Sequence, residues 1–237
     1  MRISVAVTSL FVLVSGAAGQ VAPAPVVAEH DNAIFHYARF ELDGARPRGR
    51  FEGTWDNEGW VGTDFNRLWW RTRGEVVGST VGDAEGQIAF GRYLGSFFDV
   101  LAGYRRIVRP GGGDYLMLGI KGLAPYRFEL GLDLFVADRG RLSARTDVAY
   151  ELLWSQRIIS RPSLSVDWFA APDVALGQQA GIGDSEFRLP TRFEFSRRFA
   201  PYFEFRRTHR SGTRGDGAGP SGTANPWTVR AGLWLVY

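Results

Sequence analysis

The chain has 237 residues, 45% hydrophobic and 22% charged, with a formal net charge of +3. It has no Cys, which excludes a disulfide framework, a thiolate metal site and a thiol nucleophile. Arginines and acids are interleaved instead of forming a basic stripe, so the composition points to no nucleic-acid partner.

The first nineteen residues read as a secretory signal. Arg2 supplies a positive n-region, Ile3 to Val14 is mostly apolar, and Ala17-Ala18-Gly19 offers small residues for cleavage before Gln20. A short Ala/Pro/Val lead covers residues 20–30, and residues 31–237 form one β-domain. After the signal no apolar run approaches the roughly 20 residues that a bilayer-spanning helix needs. The chain nevertheless carries 17 Phe, 8 Trp and 8 Tyr, a load suited to a membrane interface, and 30 Gly suited to many tight turns.

Segments near the length of a tilted membrane strand follow, separated by Gly, Pro and Asp. Strands are expected at 33–42, 52–61, 65–76, 82–92, 97–108, 114–123, 126–137, 141–154, 157–169, 185–197, 201–210 and 226–237. This makes twelve strands, or ten if the first two segments do not form. Alternation is clear in mid-chain. In 126–137, Phe128, Leu130, Leu132, Leu134 and Val136 oppose Arg127, Glu129 and Asp133, and in 141–154, Leu142, Ala144, Val148, Tyr150, Leu152 and Trp154 oppose Arg141, Arg145, Asp147 and Glu151. Ile158, Leu164, Val166 and Trp168 likewise oppose Arg157, Arg161 and Asp167, while Phe187, Leu189, Phe193 and Phe195 oppose Glu186, Arg188, Arg192 and Glu194. The last segment, TVRAGLWLVY, has Val229, Ala231, Leu233, Leu235 and Tyr237 on one face and Thr228, Arg230, Gly232 and Trp234 on the other.

Periodicity alone fits either a soluble sandwich, whose apolar face is a core, or a membrane barrel, whose apolar face meets lipid. The signal, the terminal aromatic and the loop pattern favour an all-β, transmembrane, antiparallel up-and-down barrel in the bacterial outer membrane. With Tyr237 in the periplasm, 170–184 and 211–225 become extracellular connections, and 124–125, 155–156 and 198–200 become short periplasmic turns. Two of those turns share a phrase, Ala124-Pro125-Tyr126 and Ala200-Pro201-Tyr202. The lumen is expected to hold Arg67, Arg71, Arg73, Glu75, Glu85, Asp99, Arg105, Lys121, Arg127, Glu129, Asp133, Arg145, Asp147, Glu151, Arg161, Asp167, Arg192, Glu194 and Arg230. Opposite charges on neighbouring strands sit about 5 Å apart and can pair. They either brace a narrow lumen or line a polar conduit.

Several longer stretches carry a family resemblance: Asp31-Asn32, WVGTDFNRLWWRTRGE from Trp60, GDAEGQ from Gly82, FFDVLAGYRR from Phe97, the run from Gly119 to Leu164, and GIGDSEFRLPTRFEFSRRFAPY from Gly181. Over nearly all of 31–237 the chain resembles the copper resistance protein B family. The resemblance implies an outer-membrane barrel that assists copper export or sequestration alongside a periplasmic multicopper oxidase. Many members carry a Met- and His-rich segment ahead of the barrel, suited to copper because thioethers favour Cu(I) and imidazoles accommodate either oxidation state. Here Val21 to His30 has no such composition. With three His and two Met in the chain, the candidate copper ligands are His30, His36, Met117 and His209, implying weak or transient copper binding. The alternative is a small passive porin or structural barrel without metal chemistry. No GxSxG motif is present and the three His lie in no catalytic pattern, so an enzyme is not expected.

Overall fold

A computed structural model describes residues 33–95, 97–137, 140–173, 176–209 and 227–237, with Arg48 described for its backbone alone. The signal and the lead, including His30, lie outside the described residues. The strands are β1 (Phe35–Ala45), β2 (Glu52–Gly62), β3 (Asn66–Val77), β4 (Thr80–Tyr93), β5 (Phe98–Arg109), β6 (Gly113–Ala124), β7 (Phe128–Ala137), β8 (Leu142–Tyr150), β9 (Leu152–Leu153), β10 (Ile158–Ser160), β11 (Ser163–Phe169), β12 (Gly181–Phe193), β13 (Phe199–His209) and β14 (Thr228–Val236). The two-stranded piece formed by β9 and β10 only prolongs β8 and β11 past breaks at Glu151 and at Arg161-Pro162. Around the ring there are therefore twelve strands, as the alternation predicts, and the first two are among them.

Every pairing is antiparallel, and the sheet closes on itself. β1 pairs with β14 from Arg39↔Val236 to Gly44↔Ala231, and Ala38 and Tyr237 exchange two backbone hydrogen bonds of 2.9 Å. Closure satisfies every strand edge within the sheet, which a strand in hydrocarbon requires.

The distribution of polarity is that of a soluble protein turned inside out. Leu116 and Leu118 on β6 are 68% and 59% exposed, whereas Glu204 and Asp133 are 0% and 1% exposed. A sandwich would bury the leucines, so the choice that periodicity left open falls to the barrel. Aromatic pairs decorate the outer face near the end that holds both Phe35 and Tyr237. Phe128 packs on Tyr150 at 4.9 Å and Phe193 on Phe195 at 5.0 Å. This terminal end carries the turns 63–65, 94–97, 125–127, 154–157 and 194–198. The far end carries 46–51, 78–79, 110–112, 138–141, 170–180 and the connection from β13 to β14.

Two local expectations are corrected. The strand expected at 185–197 is β12 at Gly181–Phe193, four residues earlier. Its ladder with β11 already begins at Phe169↔Gly181, and a bridge between Ser196 and Phe199 turns the chain where Phe195 had extended the apolar pattern. The two Ala-Pro-Tyr phrases also part company. Ala124-Pro125-Tyr126 is a turn, but Ala200-Pro201-Tyr202 lies inside β13, with Pro201 opposite Leu233. The β12 ladder stops at Tyr202, one residue short of Pro201.

Candidate functional site in the lumen

Inward residues of β1, β2, β12, β13 and β14 assemble a charge lattice across the barrel's middle. Asp43 accepts from Arg206 Nη2 at 2.8 Å, from Thr54 Oγ1 at 2.7 Å and from Arg230 Nε. Glu204 takes Arg206 and Arg188, and Arg188 also reaches Glu41 at 3.0 Å. Arg39 joins Glu41 at 3.3 Å to Glu58 at 3.0 Å. Arg71 grips Asp56 with two bonds, Nε to Oδ1 at 3.2 Å and Nη2 to Oδ2 at 3.1 Å, the bidentate fork that a guanidinium matches to a carboxylate.

Other members of the lattice cross the lumen. Arg71 and Arg73 of β3 reach Asp147 of β8, five strands around the ring, at 3.8 and 3.7 Å. Arg188 of β12 approaches Asp56 of β2 at 3.8 Å, and Lys121 of β6 approaches Glu58 of β2 at 3.7 Å, each four strands away. With Arg230 near Glu52 at 3.7 Å, seven cations meet seven carboxylates in one connected network. Four further residues repeat the theme: Glu85 of β4 receives Arg105 and, from β8, Arg145 at 2.7 Å, and Arg145 holds Asp167 at 2.7 Å. Pairing with several hydrogen bonds each is what makes charges tolerable at such burial.

Beside the lattice, toward the far end, the lumen is apolar. Leu101, Ile107, Tyr115, Met117, Phe135 and Phe169 form one buried cluster, joined by Leu176 from the loop 170–180. Arg105 borders it, its guanidinium 4.3 Å from the Phe135 ring centroid and 5.6 Å from that of Tyr115. Asp133 is buried at this border, and neither carboxylate oxygen has a hydrogen-bond partner among the described residues.

Toward the terminal end, in a vestibule where the Glu129 and Glu151 side chains are each 40% exposed, the charges form two pairs and a triad. Arg161 meets Glu129, and Arg192 meets Glu151 at 2.8 Å and Glu194 at 3.2 Å. Arg67 holds Asp99 at 2.8 Å and lies 4.5 Å from the Trp60 ring, while Arg192 lies 4.6 Å from that of Trp234.

Of the charges assigned to the lumen, Arg127 is the exception. It stands exposed in the turn after β6 at φ 67°, because the strand begins at Phe128 and not at Tyr126. Glu75 lies near the far mouth opposite Asp83. The four candidate copper ligands are not brought together. His36 is exposed on the outer face of β1 and stacks on Tyr237 at 5.3 Å; His209 is exposed on the outer face of β13 at the opposite end; Met117 is buried in the apolar cluster; His30 is not described. Among the described residues no three His, Cys, Asp or Glu side chains converge in a metal-binding group. Arg39, Glu41, Asp43, Asp56, Glu58, Glu204 and Arg206, the heart of the lattice, were absent from the sequence assignment. Their signal was the same alternation, in Arg39-Phe40-Glu41-Leu42-Asp43 and in Glu204-Phe205-Arg206.

A closed antiparallel ring with an apolar exterior, aromatic borders and a charged interior defines a bacterial outer-membrane β-barrel. The NanC porin structure is similar in fold, with a TM-score of 0.53 at 10% identity, covering 85% of this chain and 98% of that one. The family model described as Copper resistance protein B precursor (CopB) matches residues 32–237. The chain belongs to the copper resistance protein B family. It is 32% identical over 177 residues to Copper resistance protein B of Escherichia coli, covering 74% of this chain and 60% of that protein. It is equally similar, 32% over 177 residues, to the Copper resistance protein B homolog of Pseudomonas syringae pv. tomato (strain ATCC BAA-871 / DC3000), covering 73% and 60%. The matched region thus spans about 60% of the length of these curated relatives.

Proposed function

We propose that this barrel serves copper resistance as a closed outer-membrane element that assists copper export or sequestration together with a periplasmic multicopper oxidase, and that it does so without catalysis of its own. Family membership supports the link to copper. The observation that carries the closed form is the lattice, whose arginines reach carboxylates four and five strands away and so occupy the lumen that an open pore would need. Copper is cargo in this reading, met at the barrel's mouths or on the partner. The scattered positions of His36, Met117 and His209 fit transient contact better than a resident site.

The test is copper tolerance of a deletion strain complemented with the wild-type chain or with His30→Ala/His36→Ala. Loss of tolerance on deletion, restored by both chains, is the expected result. Deletion without a copper phenotype refutes the copper role and returns the chain to a passive barrel. Conductance of the purified protein in planar bilayers separates the two forms: a steady open-pore current rules out the closed one.

A further inference from the structure

Arg106 and Arg207 both project from the barrel's outer face near its far end, and the wall treats them differently. Arg106, three residues before the end of β5, donates to Asp114 of β6 at 2.6 Å, and the same carboxylate accepts from Tyr104 Oη. Its anion is therefore supplied by the barrel. Arg207, two residues before the end of β13, alternates outward between the inward Arg206 and Thr208, and no carboxylate pairs with it among the described residues.

Arg207 is flanked by aromatic rings. Phe187 of β12 stands opposite it in the ladder, and Trp227, just ahead of β14, has its ring centroid 5.8 Å from the guanidinium carbon. The two rings meet edge to face at 5.9 Å. Nearer the barrel's middle, Phe203 and Phe205 project outward at 67% and 50% exposure, with Val229 beside Phe205 at 59%. The strand thus passes from lipid-facing apolar side chains to a cation within one side-chain repeat, about 7 Å. Beyond the cation the wall is recessed. Ser185, opposite His209 in the ladder, is small, and an open recess of about 270 Å³ lies among Leu164, Ser185, Phe187, Arg207 and His209. Its apolar surface comes from Leu164 and Phe187, and its polar groups are a guanidinium, an imidazole and a hydroxyl.

We propose that this recess binds the phosphorylated headgroup of an outer-leaflet glycolipid, with a phosphate on Arg207 and acyl chains along Phe205, Phe203 and Val229. Charge and place argue for this occupant together. A guanidinium at the upper border of an apolar band calls for an anion, and the planar fork fits a phosphate. The far end carries the connection 170–180 and that from β13 to β14, and barrels of this class turn their longer loops to the cell exterior, where the leaflet's own lipid is a phosphorylated glycolipid. Arg106 needs no lipid phosphate, because Asp114 already answers it.

The test is native mass spectrometry of the full chain folded in detergent micelles and titrated with diphosphoryl lipid A. Wild type is expected to hold the lipid, and Arg207→Gln to weaken it about fivefold, the effect of one basic side chain at a headgroup layer. Arg106→Gln should leave the affinity unchanged. The heat-modifiable electrophoretic shift checks that each barrel is folded. If Arg207→Gln does not fold, Trp227→Leu carries the test with an expected loss of about twofold, since it removes the ring against the guanidinium. The site is refuted if the folded Arg207→Gln or Trp227→Leu chain binds as wild type does, or if Arg106→Gln weakens binding as much, which would mark diffuse charge. It is refuted equally if dephosphorylated lipid A binds as tightly, or if millimolar inorganic phosphate displaces the lipid, which would mark a pocket for a free anion.

Discussion

The two halves of this lumen solve one problem with opposite chemistry. The side formed by β12, β13, β14, β1 and β2 fills itself with paired charges, and the side formed by β5, β6 and β7 fills itself with Leu101, Ile107, Tyr115, Met117 and Phe135. Both fill the barrel's middle, but they fail differently. An apolar side chain removed leaves a void whose penalty scales with its volume. A charge removed leaves its former partner buried and unpaired, a penalty set by electrostatics and little eased by repacking.

The sharpest way to break the comparison is Asp43→Ala. That carboxylate is held by Arg206, Arg230 and Thr54, and its loss leaves two buried guanidiniums with one carboxylate each, Glu204 beside Arg206 and the more distant Glu52 beside Arg230. Destabilisation of about 5 kcal/mol is expected, the upper end for breaking a buried ion pair. The measurement is urea unfolding in micelles followed by tryptophan fluorescence. Phe135→Ala on the apolar side should come next, at about 3–4 kcal/mol, because the ring is 1% exposed and also supports Arg105. If Phe135→Ala proves the costlier, the lattice is solvated well enough to relax, and the closed lumen loses its main support. The two sides also differ under salt. Raising ionic strength should leave the Asp43→Ala deficit nearly unchanged, since pairs at this burial are poorly screened.

Much of the wall was legible in the sequence because each strand repeats a period of two with charge on one side, as in Glu129, Asp133 and the leucines between them. The same alternation runs through β1 and through Glu204-Phe205-Arg206, so those charges were legible by the same rule. Arg127 was misplaced because parity continues smoothly past a strand's end, whereas Tyr126 and Arg127 in fact sit at φ 65° and 67° in the turn. The lattice itself could not be read. Arg188 meets Glu41 across 147 positions and Arg206 meets Asp43 across 163, partnerships set by barrel closure and side-chain reach instead of by strand pattern. The bond from Tyr115 to Asp173 was hidden for a related reason, since only the fold brings these residues together across 58 positions.

The smallest expected effect sharpens the contrast from the other side. Arg161 pairs with Glu129 at the terminal mouth, where the Glu129 side chain is 40% exposed, in the same charge chemistry as the lattice but within reach of bulk water. Removing a partner here leaves a carboxylate that water can solvate, so the penalty of an unpaired buried charge does not arise. Arg161→Ala should therefore cost less than about 1 kcal/mol, and that small loss should shrink further at high salt. The same urea titration, run at low and high ionic strength, checks both. A loss comparable with that of Asp43→Ala would mean that the vestibule is as dry as the lattice and that the closed region extends to the terminal mouth. A small, salt-sensitive loss would instead confine the closed region to the middle of the barrel and leave the vestibule as a wet recess facing the terminal side.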